Sequence, residues 1–264
     1  MPRPIDTGQI LARRSAILFR LFSLYLHWYV SRHFHAMRIS RSGLPRALAG
    51  RPLIVYSNHA SWWDPAVFIL LCAKLFRGRA GYGPMDAVAL GKYGVLERMG
   101  VFGVDQADAR GAATFLRTAM AVVAQPTQML WVTAEGKFTD VRTRPLQLRP
   151  GLAHLVRRVP NAIILPLALE YTFWDESRPE LLLRFGEPLL GNRQSSVAEW
   201  TQRLEQGLAS TMDALAAESM TRNPALFTPL VRGGAGVGGI YDTWRWLRAT
   251  AGGRRFDASH GGKI

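Results

Sequence analysis

The chain has 264 residues, 48% of them hydrophobic, which is enough for one large α/β domain or two small ones. A formal charge of +14, from 33 Lys and Arg against 19 Asp and Glu, predicts an anionic partner. Because the basic residues are spread among tryptophans and leucines, we expect a lipid surface rather than nucleic acid. The single cysteine, Cys72, excludes an intrachain disulfide framework and favours a reducing compartment.

An apolar segment flanked by cations lies near the N-terminus, at residues 16–30. A transmembrane helix needs about 20 predominantly apolar residues, and this segment is short and interrupted by Arg20 and His27. The pattern predicts a helix that lies in the bilayer interface, with a helix packed on the domain as the alternative. We assign residues 1–45 to this N-terminal helical segment.

The middle of the chain alternates short apolar runs with helical patterns. The predicted strands are residues 53–56, 101–104, 128–132, 162–171 and 181–185. The predicted helices are residues 66–76, a segment around 90–99, 114–124, 151–159 and 197–220. This alternation predicts an α/β fold, with a single domain over residues 46–230 whose mixed central sheet is flanked by helices.

The C-terminal residues 231–264 differ in composition from the predicted domain. A glycine-rich linker at 233–239 precedes three aromatic residues interleaved with arginines: Tyr241, Trp244, Arg245, Trp246 and Arg248. This tail is either a second interfacial anchor or a loosely docked end.

The segment Asn58-His59-Ala60-Ser61-Trp62-Trp63-Asp64 follows the first predicted strand. His59 and Asp64 are too far apart around a regular helix to touch, so they meet only if the chain turns between them. A strand exit before His59, and Pro65 at a helix start, favour such a turn. A carboxylate bonded to one imidazole nitrogen raises the basicity of the other, as a general base for an alcohol requires. The spacing alone is a weak motif.

Four blocks in the chain, in order, resemble the signatures of the lysophospholipid acyltransferase family, which includes the 1-acylglycerol-3-phosphate acyltransferases. Residues 57–65 match the family's Asn-His-x4-Asp, and residues 100–105 resemble its second block. The Glu-Gly at 135–136 resembles the third block, and the hydrophobic-proline run at 164–168 resembles the fourth. Together the blocks cover the predicted core, so the chain is identified as a divergent member of this family.

The resemblance implies that His59 deprotonates an acceptor hydroxyl, that Asp64 orients His59, and that the hydroxyl attacks an acyl thioester. The donor is acyl-coenzyme A or an acyl carrier protein, no cofactor or metal is expected, and the enzyme is monotopic on the cytoplasmic face of a membrane. The substrate-binding residues implied are Asn58, Gly100, Phe102, Arg110, Glu135, Gly136, Lys137, Arg142, Arg144 and Pro166.

Two departures from the family pattern leave the acceptor open. The second block usually ends in an arginine, where this chain has Gln106, with Arg110 four residues later. The third block usually reads Pro-Glu-Gly-Thr-Arg, whereas residues 134–138 read Ala-Glu-Gly-Lys-Phe. Neither Gln nor Phe replaces a guanidinium that grips a phosphate. Either Lys137, Arg142 or Arg144 compensates, or the acceptor is another lipid hydroxyl, such as a sugar on a glycosylated lipid or an aminolipid.

Two other functions compete with lipid O-acyl transfer. A thioesterase or lipid hydrolase on the same scaffold uses water instead of an alcohol. The chain has no Gly-x-Ser-x-Gly elbow, which argues against a serine hydrolase but leaves a water-activating His-Asp pair open. A non-enzymatic membrane-binding protein would use only the basic and aromatic surface.

Overall fold

The computed structural model describes residues 7–45, 50–105, 108–234 and 248, which form three layers with a mixed sheet in the middle. The strands are β1 Ala36–Ser40, β2 Leu53–Ser57, β3 Ala80–Asp86, β4 Val101–Val104, β5 Gln128–Thr133, β6 Ile163–Thr172, β7 Glu180–Phe185, β8 Leu189–Leu190 and β9 Phe227–Arg232. The α-helices are α1 Thr7–Arg13, α2 Ala16–His33, α3 Asp64–Lys74, α4 Ala87–Lys92, α5 Ala109–Val123, α6 Gly151–Arg158 and α7 Val197–Met220. Two 3-10 helices are Gly94–Met99 and Pro224–Leu226.

The strands lie in the order β4-β3-β5-β2-β6-β7-β1-β9, and β8 pairs with the start of β6. The first five in this order are parallel, so their carboxyl ends meet at one edge of the sheet, which we call the carboxyl edge. β7 and β9 each pair antiparallel with a neighbour. The mixed sheet that the sequence predicts is therefore confirmed.

Helices cover both faces of the sheet. One hydrophobic core lies under α1, α5, α6 and α7, and a second lies under α2 and α3. β2 is buried from both sides, which explains its uninterrupted apolar sequence. The apolar stripe predicted along α7 faces the sheet; its buried members are Trp200, Leu204, Leu208, Met212 and Leu215.

β6 is longer than β2 and extends past it at the carboxyl edge. Their pairing ends where Ser57 lies beside Leu167, and residues 168–172 continue in antiparallel pairing with β7. We call residues 168–172 the β6 overhang. Because side chains alternate along a strand, Leu169 and Tyr171 both point to the face that carries α3, whose core includes Leu169 with Tyr171 packed against it.

Most predicted elements are present, with bounds shifted by a few residues. The predicted helix around 90–99 instead divides at Tyr93, whose φ of −128° and ψ of 52° are not helical, into α4 and a 3-10 helix. β1, β3, β8 and β9 were not among the predicted strands. β1 falls in the predicted N-terminal segment but belongs to the sheet, where it pairs with β7 and β9. Its polar Arg38, which is buried against Glu180, interrupts the apolar pattern that marks a buried strand.

α2 has two different apolar faces. Leu26 and Val30 are buried in the core beneath it, as in a helix packed on the domain. The opposite side exposes Ile17, Leu21, Leu24 and Trp28, which are 51–74% exposed and which we call the α2 stripe. Among the described residues, no helix is long and apolar enough to cross a membrane. Apart from Arg248, the tail from residue 235 lies outside the described residues, so its predicted anchor stays a prediction.

Candidate active site

His59 and Asp64 meet across the turn that joins β2 to α3. Asp64 Oδ2 accepts a hydrogen bond from His59 Nδ1, and the two atoms lie 2.7 Å apart. The Asp64 side chain is fully buried, whereas the His59 side chain is 17% exposed. Pro65 occupies the first turn of α3, where a missing N–H costs nothing. The bond at Nδ1 leaves Nε2 as the ring nitrogen that can exchange a proton with a substrate.

Two further donors hold the carboxylate of Asp64. Oδ2 accepts a second bond from the Ser61 backbone N–H at 3.2 Å, and Oδ1 accepts one from the Tyr171 hydroxyl at 2.7 Å. Burial, and then the charge of Asp64, raise the pKa of Tyr171 well above its usual value, so the hydroxyl stays a donor. Tyr171 was not among the predicted site residues, because it lies 107 residues after Asp64 and nothing in the sequence of its strand links it to the His59 turn.

Asn58 connects the turn to the β6 overhang. Its side-chain amide donates to the Leu169 carbonyl at 3.0 Å, and its Oδ1 accepts from the Leu169 N–H at 2.9 Å. Asn58 is only 1% exposed. Its side-chain amide makes the two hydrogen bonds to Leu169 that the backbone of a further β2 residue would make. Its side chain therefore fixes the turn, although the sequence places it among the substrate-binding residues.

The loop after β5 brackets His59 on both sides of its backbone. Glu135 is 5% exposed and accepts a hydrogen bond from the His59 N–H at 3.2 Å. The Thr139 N–H donates to the His59 carbonyl at 2.9 Å. The ring of Phe138 lies over the imidazole, 4.3 Å between centroids, and is itself 60% exposed. Glu135 thus holds the His59 backbone, and Phe138 covers one side of its ring.

The Arg149 side chain lies against Gly136 in this loop. The Gly136 φ of +66° is left-handed, and a Cβ there would lie 2.4 Å from the Arg149 Nε. The Arg149 N–H also donates to the Ala134 carbonyl at 2.9 Å, so Arg149 lies directly beside the Glu-Gly block. Lys137 and Arg149 are exposed, and neither side chain has a carboxylate partner within the described ranges. Arg149 was not among the predicted site residues, because it lies 13 residues after Gly136 and only the folded loop places the two side by side.

The other predicted basic residues are arranged differently. Arg142 forms an ion pair with Asp140, and Arg144 forms one with Asp213 on α7. Both guanidinium groups therefore have carboxylate partners, and their role toward an acceptor phosphate stays a prediction. Arg110 is exposed in the first turn of α5, which follows β4 at the carboxyl edge. Gln106 lies outside the described residues.

Three predicted substrate-binding residues belong to the interior of the fold. Gly100 precedes β4 with a φ of +97°, and a Cβ there would lie 2.4 Å from the Gly81 carbonyl oxygen. Phe102 is 2% exposed within the core under α5 to α7. Pro166 is buried in β6, beside Gly186. All three residues are buried and pack against neighbouring elements, and their part in substrate binding stays a prediction.

Cys72 is buried on α3 beside the Trp131 indole, whose N–H donates to its sulfur at 3.0 Å. Burial raises the pKa of the Cys72 thiol to about 12. A neutral buried thiol is a poor nucleophile, so we do not expect Cys72 to react at this site.

A model of the acyltransferase family matches residues 33–170, more than half of the 264-residue chain, from before β1 to the β6 overhang. The chain belongs to the acyltransferase family. The crystal structure of the 1-acyl-sn-glycerophosphate (LPA) acyltransferase PlsC from Thermotoga maritima is similar to this acyltransferase, with a TM-score of 0.51. The two chains are 16% identical, and the match covers 76% of this acyltransferase and 78% of PlsC. This likeness concerns the fold. No curated protein matches the chain by sequence.

The family match confirms the resemblance carried by the four blocks and the enzyme class that it implies. The matched range contains both members of the His59–Asp64 pair, as well as Glu135 and Gly136. It therefore includes the turn after β2 and the loop after β5 that together form the candidate site. The alternative of a non-enzymatic membrane-binding protein is therefore wrong, because the chain belongs to a family of enzymes.

Proposed function

We propose that this acyltransferase moves a fatty acyl group from acyl-coenzyme A or an acyl carrier protein to the hydroxyl of a lipid. The observation that carries the proposal is the 2.7 Å bond between His59 Nδ1 and the fully buried carboxylate of Asp64. Since this bond occupies Nδ1 and orients the ring, Nε2 is free to act as a general base. The substrate named for PlsC, 1-acyl-sn-glycerophosphate, supports a lipid acceptor.

The reaction follows from the atoms at the site. His59 Nε2 takes the proton of the acceptor hydroxyl as the hydroxyl oxygen attacks the thioester carbonyl carbon. Asp64 stabilises the imidazolium that forms, because its carboxylate lies 2.7 Å from Nδ1. The tetrahedral intermediate then loses its carbon–sulfur bond, and the departing thiolate takes the proton from His59. The products are the lipid ester and a free thiol, with no covalent acyl-enzyme.

Lys137 and Arg149 support an acceptor with an anionic headgroup, such as lysophosphatidic acid. Both cations belong to or touch the loop that binds the His59 backbone. Because neither has a carboxylate partner in the described part of the chain, their charges are available to a phosphate. Arg149 would supply the guanidinium that the third block lacks at Phe138.

The α2 stripe supports attachment to a membrane surface, and we propose the anionic cytoplasmic face as that surface. α2 adjoins the site, because the Trp63 ring lies 5.3 Å from Tyr29 and 5.6 Å from Phe34. Arg20 and Arg32 are exposed on the same helix and would reach lipid headgroups while the stripe enters the interface. A lipid acceptor in that leaflet would then meet His59 without leaving the bilayer.

Purified protein in detergent, supplied with acyl-coenzyme A or acyl carrier protein and lysophosphatidic acid, tests the reaction by following free thiol and lipid product together. We expect His59→Ala to lower acceptor-dependent product formation by about 10²- to 10⁴-fold, because it removes the general base. His154→Ala, on α6, is the matched control and should keep wild-type activity. Thiol release without acceptor would indicate hydrolysis, and undiminished transfer in His59→Ala would refute the mechanism.

A further inference from the structure

We propose that Tyr171 is a positioning residue, which holds the Asp64 carboxylate in place and sets how strongly that carboxylate supports His59. This inference rests on the proposed role of His59 as general base. It comes from the β6 overhang, where Tyr171 reaches the His59 turn from a strand 107 residues away in sequence.

The geometry binds both oxygens of Asp64 from different elements. Oδ2 accepts from His59 Nδ1 and from the Ser61 N–H, both within the turn. Oδ1 accepts from the Tyr171 hydroxyl, 2.7 Å away on β6. A carboxylate held at both oxygens cannot rotate about its own axis, so Oδ2 stays directed at His59. Without the Tyr171 hydroxyl, Oδ1 would lose its hydrogen bond in a fully buried position, which is costly for a carboxylate oxygen.

Tyr171 is itself held rigidly. Two residues earlier on the same face, Leu169 is bonded through its N–H and carbonyl to the Asn58 side chain. The Tyr171 ring also lies 6.2 Å from the ring of Phe34 at the end of α2. The hydroxyl therefore reaches Asp64 from a fixed strand, and its position depends little on the substrate.

The hydroxyl also affects the charge of the pair. A hydrogen bond donated to a carboxylate stabilises its ionised form and lowers its basicity. Loss of this bond leaves more negative charge on the Asp64 oxygens, so the positive charge of the imidazolium is stabilised more strongly. The rising limb of the pH–rate profile is therefore expected to move to higher pH. Tyr171 remains a neutral donor because burial raises the pKa of its hydroxyl.

Other titratable groups lie on the elements packed around this pair. They are Glu135 and Lys137 in the loop after β5, Tyr29 and His33 on α2, and His35 with Glu180 at the adjoining ends of β1 and β7. None of them is altered by removing one tyrosine hydroxyl. Their contributions to the pH–rate profile are therefore common to the wild type and the variants compared below.

The test is Tyr171→Phe, which removes one oxygen and keeps the ring. We expect kcat to fall about tenfold, since a lost hydrogen bond to a charged group has this order of effect on a rate. The KM for acceptor should be unchanged, and the rising limb of kcat/KM should move to higher pH. Replacing Tyr171 by 3-fluorotyrosine, a more acidic phenol and stronger donor, should move the same limb to lower pH.

Tyr56→Phe is the matched control. The Tyr56 hydroxyl is also buried and donates to the Leu204 carbonyl at 3.1 Å, but from β2 toward α7 on the opposite face. Its loss should lower thermal stability without moving the pH–rate profile. If Tyr171→Phe only lowers stability, as Tyr56→Phe should, and fluorination leaves the limb in place, the inference is wrong. Undiminished activity in His59→Ala would instead refute the proposed function.

Discussion

The Asn58 side chain replaces backbone hydrogen bonds of strand pairing at the turn that carries His59. A β2 residue after Ser57 would pair its backbone with Leu169, but the chain must leave the sheet to place His59. The amide of Asn58 supplies one donor and one acceptor in the same direction, and Leu169 uses both. These two hydrogen bonds hold the turn to β6 although β2 has already ended.

Asn58→Ala should lower the free energy of unfolding by about 3 kcal/mol. The change leaves the Leu169 N–H and carbonyl without partners in a buried position, at about 1–3 kcal/mol each. Denaturant unfolding followed by circular dichroism measures the loss. The control is Asn223→Ala, which removes an exposed bond to the Ala225 N–H and should cost about 1 kcal/mol or less. Equal effects in the two variants would contradict the role assigned to Asn58.

At the scale of elements, α2 combines two predictions that the sequence presented as alternatives. Its buried side packs on α3 and the sheet through Leu26 and Val30. Its exposed stripe remains apolar, although exposed helix faces of water-facing domains are normally polar. A helix with two apolar faces and cations at its ends can bind the domain and a bilayer at once.

Leu21→Glu combined with Leu24→Glu should weaken vesicle binding by more than about tenfold. Burying each leucine side chain contributes about 1.5–3 kcal/mol, and glutamate adds repulsion from anionic lipid. Sedimentation with phosphatidylcholine and phosphatidylglycerol vesicles measures the change. The leucines are 58% and 60% exposed, so the fold should be retained. Met220→Glu, at a position 79% exposed at the end of α7, is the control and should bind like wild type.

At the scale of the whole molecule, the charge of +14 and the α2 stripe are expected to act together. Charge attracts the protein to an anionic surface over a distance set by the salt concentration, whereas the stripe acts only on contact. The same positive charge would also draw in the phosphates of coenzyme A or the acidic surface of a carrier protein.

Raising NaCl from about 0.1 M to about 1 M should weaken binding to phosphatidylglycerol vesicles but not to pure phosphatidylcholine vesicles. Over this range the Debye length falls from about 10 Å to about 3 Å, which screens the charge and leaves apolar contact intact. Titration at a series of salt concentrations measures both affinities. Equal salt dependence on the two kinds of vesicle would show that the net charge plays no part in membrane binding.

Sequence patterns predicted β2, β5 and β6, whose central residues are buried, because each of these strands is a nearly continuous apolar run. They missed strands whose residues are poor strand formers in isolation. β3 contains Gly81, which lies so close to Cys72 that a Cβ would be 2.5 Å from its sulfur. β9 contains Pro229, which an edge strand tolerates. Such strands form because neighbours in space, not in sequence, supply their partners.

Local pattern pointed to His59 and Asp64, because a strand exit and a proline flank the pair in consecutive residues, and the resemblance to the family's ordered blocks added the Glu-Gly at 135–136. Tertiary structure alone decided that Tyr171 holds Asp64, that Arg149 lies beside Gly136, and that Arg144 pairs with Asp213 on α7. The physical reason is that a side chain's partner depends on which strands become neighbours and how far each extends. In this acyltransferase, β6 extends past β2, and this overhang places Tyr171 beside Asp64 at the His59 turn.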